Sequence, residues 1–172
     1  MKKIILLFLT ATTLFACKTN EVKTETTTSA TGTVTSTGPD VDMLKKGTTA
    51  FANGDWATVA SNYADTAKSY HNIWPSNTDS SLGVKIPVII EVFKKQREFI
   101  DGNLTIGGTI YEVVTMPDGN KYGHSWVEMS WKSKKGVAGK VVVFNSFGIN
   151  KDGKITYEWP IYDTKDVATL GK

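Results

Sequence analysis

The first half of the folded region carries apolar residues at the three- and four-residue spacing of helices. A first helix over residues 43–51 ends at Asn53-Gly54, where a left-handed cap is expected. A second helix follows the N-cap residue Asp55 and a third begins at Pro87, with a short strand over residues 67–73 between them. The apolar faces of the second and third helices consist of Trp56, Val59, Ala60 and Tyr63, and of Ile86, Ile89, Ile90, Phe93 and Ile100. The charged side chains predicted to face water are Lys94, Lys95, Arg97 and Glu98.

After Asp101-Gly102 the apolar period becomes alternating, which is typical of half-buried strands. The predicted strands cover residues 104–116, 122–131, 139–149 and 154–162. Turn sequences rich in Pro, Asp, Asn and Gly separate the first strand from the second and the third from the fourth. Helices followed by antiparallel strands predict an α+β fold, with three N-terminal helices packed on a strongly curved antiparallel sheet. Such an arrangement leaves a conical cavity between helices and sheet.

The first 16 residues have the three-part layout of a secretory signal peptide, with Lys2 and Lys3 before an apolar stretch. This stretch is too short for a membrane-spanning helix, which needs roughly 20 residues. The sequence Leu14-Phe15-Ala16-Cys17 resembles the lipobox of bacterial lipoproteins. That resemblance implies that Cys17 is acylated and anchors the chain in the bacterial cell envelope. Because no Asp follows the cysteine, it further implies the outer membrane.

Residues 17–39 are predicted to form a disordered tether. Thr and Ser fill half of the positions from Lys18 to Pro39, and the only large apolar residues there are Val22 and Val34. Such a segment buries too little apolar surface to offset the entropy lost on ordering. The folded domain is therefore predicted to span residues 40–172.

Charge and cysteine content exclude several classes of function. The chain has 20 Lys and Arg against 17 Asp and Glu, and the leader holds two of those lysines, so the rest is nearly neutral. This balance predicts no nucleic-acid partner. One Cys cannot form an intrachain disulfide, and one Cys with two His cannot make a closed zinc site without carboxylates. Phosphate-loop and dinucleotide motifs are also missing from the sequence, so we predict no metal and no cofactor.

A series of short motifs occurs in a specific order along the folded region. They are Gly54-Asp55-Trp56, Tyr63-Ala64-Asp65, His71, Val127-Glu128-Met129-Ser130-Trp131, Gly139-Lys140-Val141 and Asp152-Gly153-Lys154-Ile155. Their order and spacing resemble the nuclear transport factor 2-like superfamily, which includes ketosteroid isomerases and SnoaL-like polyketide cyclases. The resemblance spans residues 40–163 and implies a cone-shaped fold. Because members include isomerases, cyclases, hydrolases and plain binding modules, it does not by itself define a function.

The resemblance assigns three positions of the ketosteroid isomerase site. His71 stands where those enzymes carry the general-base Asp, Asn145 where they carry the oxyanion-hole Asp, and Gly47 where they carry the oxyanion-hole Tyr. Gly47 has no side chain that can donate, so steroid isomerisation by the family's route is not expected. His71 is able to act as a base and Asn145 as a donor to a carbonyl. Alternatively, the two side chains satisfy each other or a water in a pocket that only binds.

Strand alternation predicts which side chains line the cavity. The predicted ligand-binding residues are Trp74, Phe93, Ser125, Val127, Met129, Val141, Val143, Phe147 and Tyr162. Glu158 is expected either at the rim or beside His71 as a third polar group, since an unpaired carboxylate is costly in an apolar cavity. His124 is expected on the opposite, outer face of the sheet.

We therefore predict a membrane-anchored lipoprotein whose domain binds a small, largely apolar molecule in a conical pocket. A cavity of at least about 300 Å³ would suit such a ligand. One alternative is an isomerase, cyclase or hydrolase of the same fold that uses His71 and Asn145. Another is a protein-interaction module with a filled cone, packed by Trp131, Phe147 and Phe93, that uses the outer sheet face. A homodimer through that face is a further expectation.

Overall fold

The structure is a computed structural model that describes residues 31–72 and 80–168. Its strands are β1 (Thr33–Thr35), β2 (Tyr63–Ser69), β3 (Val84–Lys85), β4 (Thr105–Thr115), β5 (Lys121–Lys132), β6 (Ala138–Ile149) and β7 (Ile155–Ile161). Its helices are α1 (Pro39–Asn53), α2 (Trp56–Ser61), α3 (Ile86–Arg97) and α4 (Thr164–Val167), with a 3₁₀ turn at Ser80–Leu82. None of the described helices is long and apolar enough to cross a membrane. The predicted signal peptide, residues 1–16, and Cys17 lie outside the described residues.

The seven strands form one curved sheet in the order β1-β4-β5-β6-β7-β2-β3, and the predicted α+β class is confirmed. The sheet is mixed rather than purely antiparallel, because β2 runs parallel to β7, with Ser69 beside Glu158. Parallel neighbours need a long connection, and here α3 and the β4–β6 strands supply it. The pairing brings side chains from the start of the domain next to its last strand.

Local cap chemistry sets the helix boundaries. Gly54 ends α1 with a φ of 74°, the left-handed cap that the sequence predicts. The carboxylate of Asp55 accepts a hydrogen bond from the Thr58 amide at 3.1 Å and caps α2. Tyr63, predicted on the second helix, instead begins β2, so this strand starts four residues before the predicted one. The Asn62 carbonyl accepts a hydrogen bond from the Ile155 amide at 2.8 Å. This bond holds the backbone against β7 at the point where β2 begins.

The described secondary structure begins before the predicted domain boundary at Asp40. Thr33–Thr35, part of the predicted tether, pairs with β4 as an edge strand, with Thr33 beside Thr115 and Thr35 beside Val113. Backbone hydrogen bonds to an exposed sheet edge order this segment, although its composition offers little apolar surface.

The core lies between the helices and the concave face of the sheet. Val41 of α1 and Val127 of β5 are fully buried in its largest cluster, which also contains Phe147 and Ile149 of β6. A second cluster joins α1, α2, β2 and α3, and a third surrounds Trp131. These clusters surround a cavity instead of filling the cone.

Candidate functional site

A cavity of about 200 Å³ lies between the helices and the concave face of β5, β6 and β7. Its wall is mainly aliphatic and aromatic, and it includes Trp131, Phe147 and Phe93. These side chains border the space rather than packing it solid. The cavity is nevertheless smaller than the roughly 300 Å³ that would suit a typical ligand, so any occupant would have to be smaller than a typical drug.

The β6 wall follows the predicted alternation. Val141, Val143, Asn145 and Phe147 border the cavity, whereas Val142 is 50% exposed on the outer face. Consecutive side chains of a strand point to opposite faces, so one face of β6 supplies an apolar surface around a single amide.

The other predicted ligand-binding residues fall into three groups. Phe93, Met129 and Tyr162 border the cavity. Ser125 and Val127 are buried deeper, at 1% and 0% exposure, and are not among the described residues that border it. Trp74 lies outside the described residues.

Glu158 of β7 is buried and borders the cavity, so it is the third polar group rather than a rim residue. The Tyr63 hydroxyl donates a hydrogen bond to its Oε2. Burial raises the pKa of Glu158, while Tyr63 and Ser69 act in the opposite direction. The Ser69 hydroxyl is buried beside Glu158 but makes no hydrogen bond to any described residue, so Tyr63 is the main partner of the carboxyl. Burial and the neighbouring carboxyl also raise the pKa of Tyr63 well above its usual value.

His71 follows β2 and borders the cavity next to Phe93, with their ring centroids 5.7 Å apart. Its Nδ1 lies 3.3 Å from the Tyr162 hydroxyl. Its Nε2 is buried and has no hydrogen-bond partner among the described residues. Burial lowers the pKa of His71, which favours the neutral imidazole. A neutral imidazole with one free ring nitrogen can accept or donate one hydrogen bond, depending on its tautomer.

Asn145 donates a hydrogen bond from Nδ2 to Ser125 Oγ at 3.3 Å. No hydrogen bond between Asn145 and His71 occurs among the described residues, so the two side chains do not satisfy each other. Gly47 borders the same cavity, and a Cβ at this position would lie 2.7 Å from Asn62 Nδ2. Asn145 and Glu158 therefore come from β6 and β7 and His71 follows β2, whereas α1 contributes no side chain to the site at Gly47.

Sequence analysis missed several polar residues that border the cavity, namely Tyr63, Arg97, Thr48, Asn62 and Gln96. Tyr63 matched the helical spacing of the preceding segment, which hid its place in a strand. Arg97 was predicted to face water with its charged neighbours, but it follows Phe93 by four residues and so shares its helix face. That spacing was the available signal.

A second cavity, of about 330 Å³, shares His71, Phe93, Gln96 and Tyr162 with the first. His124 lies on the outer face as predicted, where its Nδ1 is 3.3 Å from Glu112 Oε1. Among the described residues there is no group of three or more His, Cys, Asp or Glu that could hold a metal ion.

Among known proteins, this chain is similar to solved structures, but its sequence matches no family model and no curated protein. Among solved structures, PrhC from Penicillium brasilianum is 13% identical with a TM-score of 0.58, over 76% of this chain and 84% of PrhC. A ketosteroid isomerase-like protein from Erwinia carotovora is 17% identical with a TM-score of 0.52, over 72% of this chain and 92% of that protein.

IdmH from Streptomyces antibioticus, provisionally described as a polyketide cyclase, is also similar. It is 16% identical with a TM-score of 0.53, over 77% of this chain and 98% of IdmH. At these identities the likeness shows the fold alone. The chain therefore shares the curved-sheet α+β fold of these structures, in agreement with the predicted fold class.

Proposed function

We propose that this domain binds a small, largely apolar molecule in the conical cavity, with one polar group of that molecule hydrogen-bonded to His71. The observation that carries this proposal is the buried Nε2 of His71, which has no hydrogen-bond partner among the described residues and belongs to a side chain that borders an apolar cavity. A buried polar atom without a partner costs about 1–3 kcal/mol. A ligand that reaches Nε2 would recover this energy, and water in the cavity is the alternative partner.

The rest of the wall supports the same conclusion. Apolar side chains of β6, such as Val141 and Val143, and Phe93 of α3 would contact the body of the ligand. A few convergent polar groups in an otherwise apolar pocket are typical of small-molecule sites, where they fix the orientation of the ligand. Asn145 is the second such group, since its amide has a donor left after its bond to Ser125.

Native mass spectrometry of protein purified from its own kind of cell tests this proposal. A small molecule that co-purifies with the wild type and is lost from the double variant His71→Ala, Asn145→Ala supports it. The matched control is His124→Ala, Ser146→Ala, which removes two polar side chains that are cross-strand neighbours on the outer face. Loss of the molecule from this control as well would argue against a site at His71 and Asn145.

A second candidate is an enzyme that transfers protons in the same cavity. The observation that favours it is the presence of a histidine with a lowered pKa and a carboxyl with a raised pKa, His71 and Glu158, in one apolar cavity. Groups shifted in this way are characteristic of acid–base sites. His71 would be the base and Asn145 a donor to a carbonyl, in an isomerase, cyclase or hydrolase. Turnover that survives His71→Ala would rule this mechanism out.

We further propose that the chain is a lipoprotein of the bacterial envelope, anchored through Cys17. The support is the leader followed by Leu14-Phe15-Ala16-Cys17. Metabolic labelling with a palmitate analogue tests it, because the wild type should incorporate the label in the membrane fraction and Cys17→Ser should not. Equal labelling of both proteins would exclude Cys17 as the anchor.

A further inference from the structure

Arg97, at the end of α3, borders the conical cavity, and part of its guanidinium makes no hydrogen bond to any described residue. Its Nη2 donates a hydrogen bond to Asn103 Oδ1 at 2.9 Å, which fixes the position of the group. Its Nη1 is buried and has no hydrogen-bond partner among the described residues. Arg97 therefore borders an apolar space while the two N–H donors of its Nη1 have no hydrogen-bond partner among the described residues.

Arg97 forms no ion pair with any described residue. Glu91–Lys94, Asp40–Lys121 and Glu128–Lys140 pair without it, and Glu112 lies beside His124. Partial burial removes water from the guanidinium and lowers its pKa, although Arg stays charged at any ordinary pH. A partly buried cation without a counterion favours an anionic partner.

The carboxyl in the same cavity is not that partner. Glu158 bonds to Tyr63, and it lies beyond the 4.0 Å ion-pair distance from Arg97. Burial disfavours its charged form. Phe93, which contacts His71, precedes Arg97 by four residues on the same face of α3, and all three side chains border the cavity.

We propose that Arg97 binds a carboxylate of the ligand, so that the molecule recognised is a compact, apolar monocarboxylate rather than a neutral one. The guanidinium presents N–H donors in a plane that suits a carboxylate, and the apolar wall takes the rest of the molecule. This inference rests on the proposed binding function and adds the charge class of the ligand to it.

The experiment is calorimetric titration of the full chain, carrying Cys17→Ser to remove the predicted acylation site, with octanoate and with octan-1-ol. The two probes share a chain length and differ in charge. We expect octanoate to bind about tenfold more tightly than octanol, as a charge-assisted hydrogen bond implies. Arg97→Gln should abolish this preference for octanoate over octanol, while Arg97→Lys should keep part of it. The control Lys95→Gln removes a nearby exposed charge and should change neither affinity.

The possible failures are distinguishable. The role of Arg97 would be overturned if the wild type bound octanol and octanoate equally well. It would also be overturned if the preference for octanoate survived Arg97→Gln. Neither result would contradict the proposed binding function. Absence of binding by both probes, in a wild type shown to be folded by its circular dichroism, would contradict the inference and count against the proposed function itself.

Discussion

The hydroxyl of Tyr63, the first residue of β2, donates a hydrogen bond to the carboxyl of Glu158 on β7 inside the cavity wall. The two residues are 95 positions apart, and the parallel pairing of their strands brings them together. A buried carboxyl is tolerated in this apolar wall because a hydroxyl satisfies it. The parallel pairing of β2 with β7 therefore places a hydrogen-bonded carboxyl in the cavity wall.

Glu158→Gln tests how burial affects this carboxyl. The pKa of Glu158 is raised in the folded state, so the folded protein binds more protons than the unfolded chain between the unfolded value, about 4.3, and the raised value. Its contribution to stability is thus fully present below the unfolded pKa and is lost as the pH rises through the folded pKa. The variant should gain stability relative to the wild type as the pH rises above about 4. Urea unfolding at a series of pH values measures this difference, and a difference independent of pH would contradict it.

Tyr63→Phe removes the hydrogen-bond donor and leaves the buried carboxyl without its main partner. We expect a loss of about 1–3 kcal/mol in the free energy of unfolding, larger at neutral than at acid pH because a bond to the ionised carboxyl is stronger. The matched control is Tyr157→Phe on β7, whose hydroxyl makes no hydrogen bond among the described residues. If the two variants lose equal stability, the hydroxyl of Tyr63 has no special role.

The pH dependence that His71 gives to the stability of the fold should be opposite to that of Glu158. Burial lowers the pKa of His71, so its contribution to stability is present above the unfolded value, about 6.5, and is lost as the pH falls through the folded pKa. The variant His71→Gln should therefore lose less stability than the wild type on acidification below about pH 6.5. Thermal unfolding of both proteins over this range provides the test. If the unfolding temperatures of the two proteins change with pH in parallel, His71 is not shielded from water.

The outer face of the sheet carries an apolar cross-strand row of Ile110, Trp126 and Phe144, of which Ile110 is 61% exposed. We expect this row to pair with a second copy of the chain, as the sequence predicted. The variant Trp126→Glu should shift the protein to monomer mass in analytical ultracentrifugation, without loss of its circular dichroism. A wild type that is monomeric at high micromolar concentration would contradict the prediction.

Local patterns predicted most of the fold. Gly54 and Asp55 marked the boundary between α1 and α2, and the alternation of β6 correctly separated Val143 from Val142. These features depend on residues close together in sequence, where cap and pleat chemistry act directly.

What the sequence did not predict depends on contacts between distant segments. The parallel pairing of β2 with β7 places Tyr63 against Glu158, and no local pattern encodes it. Arg97 was missed because charge suggested exposure, whereas helix geometry places it beside Phe93 on the cavity face. The Nε2 of His71 is buried without a hydrogen-bond partner among the described residues. This depends on segments that are distant in sequence, so the residues next to His71 could not predict it.

Filling the cavity tests the central claim most directly. Val143→Phe would occupy the cavity, and Val142→Phe is the matched control on the outer face of the same strand. Native mass spectrometry of the wild type and both variants should detect the same small molecule on the wild type and on Val142→Phe, and none on Val143→Phe. A wild type without any bound molecule, or a molecule retained equally by all three proteins, would contradict binding in the cone.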